Sequence, residues 1–175
     1  MMKNTNEFPE RKRNRLKDFD YSSNGAYFVT ICIKDRNVSL WEAVGADIIR
    51  PDCELIEEID FPLSEIGKTV EQSIRNIPNC YDCVTVDKYC IMPDHIHMII
   101  SIYNHEDGRM ISAPTLSTVV GQMKRWVSKQ TGKSIWQKSF YDSIIDSDKV
   151  YGEVWEYIDN NPRKIRKEYK YQEAF

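Results

Sequence analysis

Residues 84–102 constrain this chain more than any other stretch. Val84-Thr-Val-Asp-Lys-Tyr-Cys-Ile91 and His95-Ile-His-Met-Ile-Ile-Ser-Ile102 are runs of strand length, rich in β-branched residues, separated by Met92-Pro93-Asp94. Proline cannot donate to a central ladder, so Pro93 belongs at or near a turn and the two runs fold back as antiparallel strands. Side chains alternate along a strand, so His95 and His97 emerge on one side while Ile96 points the other way, into a core. Two imidazoles converging where a strand leaves a turn make a two-nitrogen metal site. The plain alternative is a pair of neighbouring surface histidines, and a bare His-x-His does not separate the two.

Elements on either side of this hairpin can be read from periodicity and punctuation. Ala26 to Ile33 (AYFVTICI) has the composition of a buried strand, and Asp35-Arg-Asn37 that of a turn. Val38 to Ile59 is expected to hold short strands around a loop from Gly45 to Asp52. Ile66, Val70 and Ile74 recur at helical spacing within Ser64–Ile77, and the helix is expected to end before Pro78. Asn104 to Pro114 reads as a loop. Thr115 caps a helix whose Leu116, Val119, Val120, Met123 and Val127 share one face, with Gly132 past its end. Ile135 to Asp142 reads as a polar-aromatic loop, followed by a brief extended piece, Ser143-Ile-Ile145. Ser147 caps a last helix to Asn161, expected to stop before Pro162. Strands interleaved with helices around a central hairpin predict an α+β sheet-and-helix layer.

At 175 residues the chain suits one domain: a flexible basic arm over 1–20, a single folded domain over 21–167 and a tail over 168–175. The first twenty residues carry Arg11, Lys12, Arg13, Arg15 and Lys17 and no apolar run, which does not match a secretory signal. No apolar stretch approaches the ~20 residues of a membrane span, so a cytoplasmic protein without a membrane partner is expected. Cys32, Cys53, Cys80, Cys83 and Cys90 are odd in number and lack disulfide-scaffold spacing, as reduced thiols would. Cys80-Tyr-Asp-Cys83 is a lone CxxC, and a second pair to complete a zinc site is missing.

A net charge of −3 argues against indiscriminate coating of nucleic acid, yet the charges are segregated. Acids dominate residues 41–72. Lys124, Arg125, Lys129, Lys133 and Lys138 stand without an acid between Gly121 and Phe140, and Arg163 and Lys164 open a second basic stretch. Such stripes can steer an anionic polymer to one face, although a solvated helix face explains either run alone. Trp126, Trp136, Phe140 and Tyr141 lie among these cations with Gln137. Aromatic faces that stack bases beside cations that follow the backbone suit single-stranded DNA. Some of the four must be core, and Trp126 and Phe140 are the expected pair.

Tyr157 and Asn161 are four apart on the last helix and so share a face. A tyrosine hydroxyl, with an ordinary pKa near ~10, needs a cation beside it to attack a phosphodiester. An asparagine oxygen is a suitable hard ligand for Mg²⁺ or Mn²⁺. Each residue taken alone is better explained by ordinary packing or a helix end.

Three motifs follow in order: Pro93-Asp94-His95-Ile96-His97, Trp136-Gln137-Lys138-Ser139-Phe140-Tyr141-Asp142 and Tyr157-Ile158-Asp159-Asn160-Asn161-Pro162. From about Tyr21 to Lys167 the chain resembles the single-tyrosine transposases with a His-hydrophobe-His motif, in particular the REP-associated tyrosine transposase branch. The resemblance implies a ferredoxin-like (RRM-like) antiparallel sheet with the two histidines on a central strand. It implies metal ligation by His95, His97 and Asn161, with Tyr157 as nucleophile and Mg²⁺ or Mn²⁺ as the ion. The implied reaction is cleavage and rejoining of single-stranded DNA beside hairpins through a 5′-phosphotyrosine, with no need for ATP, in the nucleoid-containing cytoplasm. It allows a monomer as well as a homodimer whose tyrosines serve the partner's histidines. Relatives carry histidine and arginine after the second motif, where this chain has Ser143 and Asp146. Two other classes stay in play. One is a hairpin-binding protein that no longer cuts; the other is a zinc hydrolase, which would need a third ligand such as His105.

Overall fold

Proline in the turn and β-branched runs on either side of it produce the hairpin that the sequence demands. A computed structural model describes residues 24–42, 62–103 and 114–172, with side chains as far as residue 162. The elements run β1 (Gly25–Cys32), α1 (Glu65–Arg75), α2 (Ile77–Cys80), β2 (Val84–Ile91), β3 (His95–Ile102), α3 (Leu116–Thr131), β4 (Tyr141–Ile145) and α4 (Asp148–Gln172). The sheet order is β2-β3-β1-β4 with every neighbouring pair antiparallel. This is the ferredoxin-like α+β arrangement, with the histidines on the central strand β3.

Alternation gives the sheet two faces. Tyr27, Val29 and Ile31 of β1 and Ile96, Met98, Ile100 and Ile102 of β3 point one way, against Val70 and Ile74 of α1 and the apolar side of α3. All five expected α3 residues, Leu116, Val119, Val120, Met123 and Val127, are buried. Burial of five such side chains is worth roughly 10 kcal/mol before ordering entropy is subtracted. Thr115 caps this helix by accepting from the Thr118 amide, and Gly132 ends it at φ 65°, the left-handed conformation that favours glycine. At α1 the Ser64 hydroxyl accepts from the Gly67 amide, and a Cβ on Gly67 would stand 2.0 Å from the Leu40 carbonyl oxygen. Only glycine lets α1 lie this close to residue 40.

The opposite face carries Phe28, Cys90, Met92, Ile99 and Ile145 and is covered by α4 through Ile158, Val150, Tyr151 and Val154. Asp87 sits at an irregularity in the β2–β3 register between Val86 and Lys88. Its carboxylate accepts from Thr85 Oγ1 at 2.7 Å, from the Ser101 hydroxyl and from the Tyr151 hydroxyl at 3.1 Å. Lys88 pairs with Asp159 at 2.6 Å and lies 4.8 Å from the centre of the Trp155 ring. These contacts pin α4 along the β2 side of the sheet.

Several boundaries differ from the sequence reading. The last helix continues through Pro162 to Gln172 rather than stopping at Asn161. Proline withholds one N–H and crowds one carbonyl, a local cost that the turns on either side can carry. The first helix ends at Arg75, one residue (Asn76) breaks it, and Pro78 lies in the first turn of α2, where the missing N–H costs nothing. Strand β4 begins at Tyr141, inside the segment read as loop. The expected arm over 1–20, the strands and loop over 43–59, the loop containing His105, Cys53 and the side chains of Arg163 and Lys164 lie outside the described residues. No helix among the described residues is long and apolar enough to cross a membrane.

Candidate active site

Strand register assembles the site. In β3, His95 and His97 face α4 while Ile96 is fully buried on the other side, as the i, i+2 spacing requires. Their Nε2 atoms stand 3.1 Å apart. Two nitrogens each about 2.1 Å from one ion are separated by about this distance when they are adjacent ligands. Asp94 Oδ1 lies 2.7 Å from His95 Nδ1. A carboxylate only accepts, so Nδ1 carries a proton, which in the neutral ring leaves the lone pair on Nε2. Thr30 Oγ1 lies 2.8 Å from His97 Nδ1 and can accept from it, which turns His97 Nε2 toward the same point. His97 is buried, and this burial, followed by the neighbouring His95, pushes its pKa down to about 4. It is therefore neutral at physiological pH, the state a metal ligand needs.

Helix α4 brings its tyrosine over this pair within one chain. The Tyr157 ring centroid is 5.3 Å from that of His97 and meets Phe28 edge-on at 5.8 Å. Phe28 in turn stacks on His97 at 5.3 Å, so one aromatic side chain braces nucleophile candidate and ligand candidate together. Tyr157 is 44% exposed and so is open to solvent. Asn161 lies one turn further along the same helix face and is half-buried. Its Nδ2 position is buried with no hydrogen-bond partner. Rotating the amide exchanges nitrogen for oxygen, so this orphaned position suits an oxygen turned toward a cation. No group of three or more His, Cys, Asp or Glu among the described residues converges as a metal site. Among the described residues, the two imidazoles and the Asn161 amide are therefore the candidate donors.

The cations expected to bind DNA gather elsewhere. Because α3 packs on the face opposite His97, Lys124 and Arg125 line a groove of about 520 Å³ between α3 and residues 134–140, together with Gln137, Lys138 and Trp136. Arg125, Lys129, Lys133, Gln137 and Lys138 are exposed. Lys124 also has a structural role: its ammonium donates to the Gln137 and Ser139 carbonyls at 2.7 and 3.2 Å, and burial lowers its pKa. Among the aromatics, Phe140 is core as expected, but so is Trp136, at 4% exposure, while Trp126 is only half-buried against the core. Trp136 bridges to Ile33 beyond the end of β1, and that extra pairing draws its ring inward. Tyr141 remains exposed.

Sequence reasoning did not find the roles of Thr30, Phe28 and Asp94. Asp94 stands within the first motif but reads only as a turn residue; Thr30 and Phe28 reach the site through the β1–β3 ladder across nearly seventy residues of chain.

Comparison with known proteins places the chain in a family. Residues 61–161 match the family model described as "Transposase IS200 like". An uncharacterized protein of Haemophilus influenzae is 30% identical over 171 residues, covering 87% of this chain and 88% of its own length. A second protein of that organism, named provisionally as a REP-associated tyrosine transposase, is 26% identical over 153 residues, 83% of this chain and 74% of its own. A solved REP-associated tyrosine transposase bound to a REP hairpin superposes with a TM-score of 0.56 at 19% identity, over 81% of this chain and 68% of that one.

Proposed function

Because the chain belongs to the IS200-like transposase family, a family of DNA-processing enzymes, we propose that it cuts and rejoins single-stranded DNA beside hairpins, with Tyr157 as the nucleophile. The observation that carries the reading is the meeting of His95 Nε2 and His97 Nε2 at 3.1 Å with the Tyr157 ring beside His97 in the same chain. A relative named for REP association and a fold neighbour solved on a REP hairpin support hairpin-flanked DNA as the substrate class.

His95, His97 and Asn161 would hold a divalent cation, Mg²⁺ or Mn²⁺, which when bound supplies Lewis-acid polarisation of the scissile phosphate, worth several kcal/mol in the transition state. Asp94 and Thr30 keep both Nε2 lone pairs directed at that position. The Tyr157 hydroxyl oxygen attacks phosphorus and its proton passes to water. The P–O3′ bond breaks, and the departing oxygen takes up a proton to become a free 3′-OH. The product is a 5′-phosphotyrosine. Attack by a 3′-OH on that ester runs the same steps backward, so joining conserves the bond energy and needs no nucleotide cofactor. Arg125, Lys129, Lys133, Gln137 and Lys138, with Lys124, Arg163 and Lys164, contribute cations and donors for the rest of the strand. Action on chromosomal DNA sets the reaction in the cytoplasm at the nucleoid.

Labelled single-stranded hairpins, including sequence flanking the gene, are incubated with the protein and Mg²⁺ or Mn²⁺ and resolved on a denaturing gel. The expected result is a covalent adduct that is absent without metal, in Tyr157→Phe and in His95→Ala/His97→Ala. An adduct surviving Tyr157→Phe would show a different nucleophile. Hairpin binding with no adduct in any condition would favour a non-cutting hairpin binder instead.

A further inference from the structure

A strand undergoing cleavage at Tyr157 must be held beside it, and of the four aromatic residues set among the basic stretch only one is exposed. Trp136 and Phe140 are core and Trp126 is half-buried, whereas Tyr141 is 57% exposed. Tyr141 pairs with Thr30 in the β1–β4 ladder, and Thr30 pairs with His97 in the β1–β3 ladder. Directly opposed residues of antiparallel strands project to the same face. Tyr141, Thr30 and His97 therefore form one row across three strands, on the side of the sheet that also carries Tyr157 on α4. Neighbouring strands are ~4.8 Å apart, so Tyr141 lies about 10 Å from His97 along this row, a distance on the scale of one nucleotide. The next row toward the interior presents Ser143, exposed, opposite Phe28. A flat aromatic ring at the sheet edge beside a small neighbour makes a seat for a base with its phosphate directed along the row toward His97.

We propose that Tyr141 is a substrate-positioning residue that stacks an unpaired base flanking the scissile phosphate. This rests on the functional reading above. Stacking uses the π-face that every base presents, so Tyr141 would fix the position of the strand with little preference among bases.

The test uses the Tyr157→Phe chain without metal, so that binding is read apart from cleavage. Hairpin DNAs carry 2-aminopurine at successive unpaired positions of the flank. One position should be quenched on binding. Tyr141→Ala should abolish that quenching and weaken binding about tenfold or more, the scale of one lost base stack. Tyr141→Phe should restore both, since the ring and not the hydroxyl is used. In the cleaving chain the alanine variant should raise KM more than it lowers kcat. Because Tyr141 is exposed, thermal unfolding of both variants should match that of the parent. Quenching and affinity that persist in Tyr141→Ala would overturn this assignment while leaving the transposase reading intact. A Tyr141-independent loss of all DNA binding, seen with the parent chain itself, would overturn both.

Discussion

Replacing Thr30 with valine tests whether the histidine pair is built to hold an ion. Valine keeps the β-branched shape that suits β1 and removes only the hydroxyl that lies 2.8 Å from His97 Nδ1. His97 is 5% exposed, so water is poorly placed to replace the lost partner, and an unsatisfied buried polar atom costs about 1–3 kcal/mol. Two consequences are expected. Stability without metal should fall by an amount in that range, read from urea unfolding. Affinity for Mn²⁺ should fall by about 10- to 100-fold, the usual effect of removing an outer-shell partner of a ligating histidine. Calorimetric titration, or electron paramagnetic resonance of free Mn²⁺, reads this without any catalytic turnover. Thr30→Ser should restore most of the affinity. If Mn²⁺ binds Thr30→Val as tightly as the parent while the fold is intact, Thr30 does not orient His97 toward an ion and the reasoning is refuted.

Other expectations follow from single features. The folded His97 pKa of about 4 lies below its ordinary 6.5, so the unfolded chain binds the extra proton between these values. Metal-free stability should accordingly be complete above pH ~6.5 and fall by about 3 kcal/mol as pH drops toward 4, with a flatter profile in His97→Gln; an unchanged slope in that variant would count against it. Asp87→Ala leaves the Thr85, Ser101 and Tyr151 hydroxyls without their shared acceptor, and should destabilise the chain by about 2 kcal/mol and slow adduct formation at saturating DNA. Normal kinetics with lowered stability would show that the pin does not position α4. Gly67→Ala should cost about 3 kcal/mol or more, or prevent folding, because its Cβ would collide with the Leu40 carbonyl; a wild-type melting temperature would refute the close approach.

How much of this was legible in the sequence follows from the range of the interactions. The central hairpin, the shared side of His95 and His97, and the face and caps of α3 depend on spacing within one element, and all three are present. Pairing of Tyr157 with Asn161 on one helix face is likewise local. Thr30 and Phe28 could not be read as site residues, because their place depends on the register of β1 against β3. Trp136 looked available for stacking until a bridge to Ile33 turned it inward. Pro162 was a reasonable stop signal, but one missing N–H does not end a helix with turns on both sides. The aspartate at position 87 carried no signal in an otherwise ordinary strand; its importance comes from three hydroxyls brought together by folding.

The sheet separates two surfaces: the histidines and Tyr157 on one side, the cationic groove along α3 on the other. DNA gripped at the groove and cut at Tyr157 would have to travel around the sheet's border, and the shortest stretch able to do so has a fixed length. The protein body would then act as a gauge. Adding or deleting nucleotides between the two gripped parts would move the cut or abolish it, whatever bases were used, so that target choice would depend on counting as well as on reading.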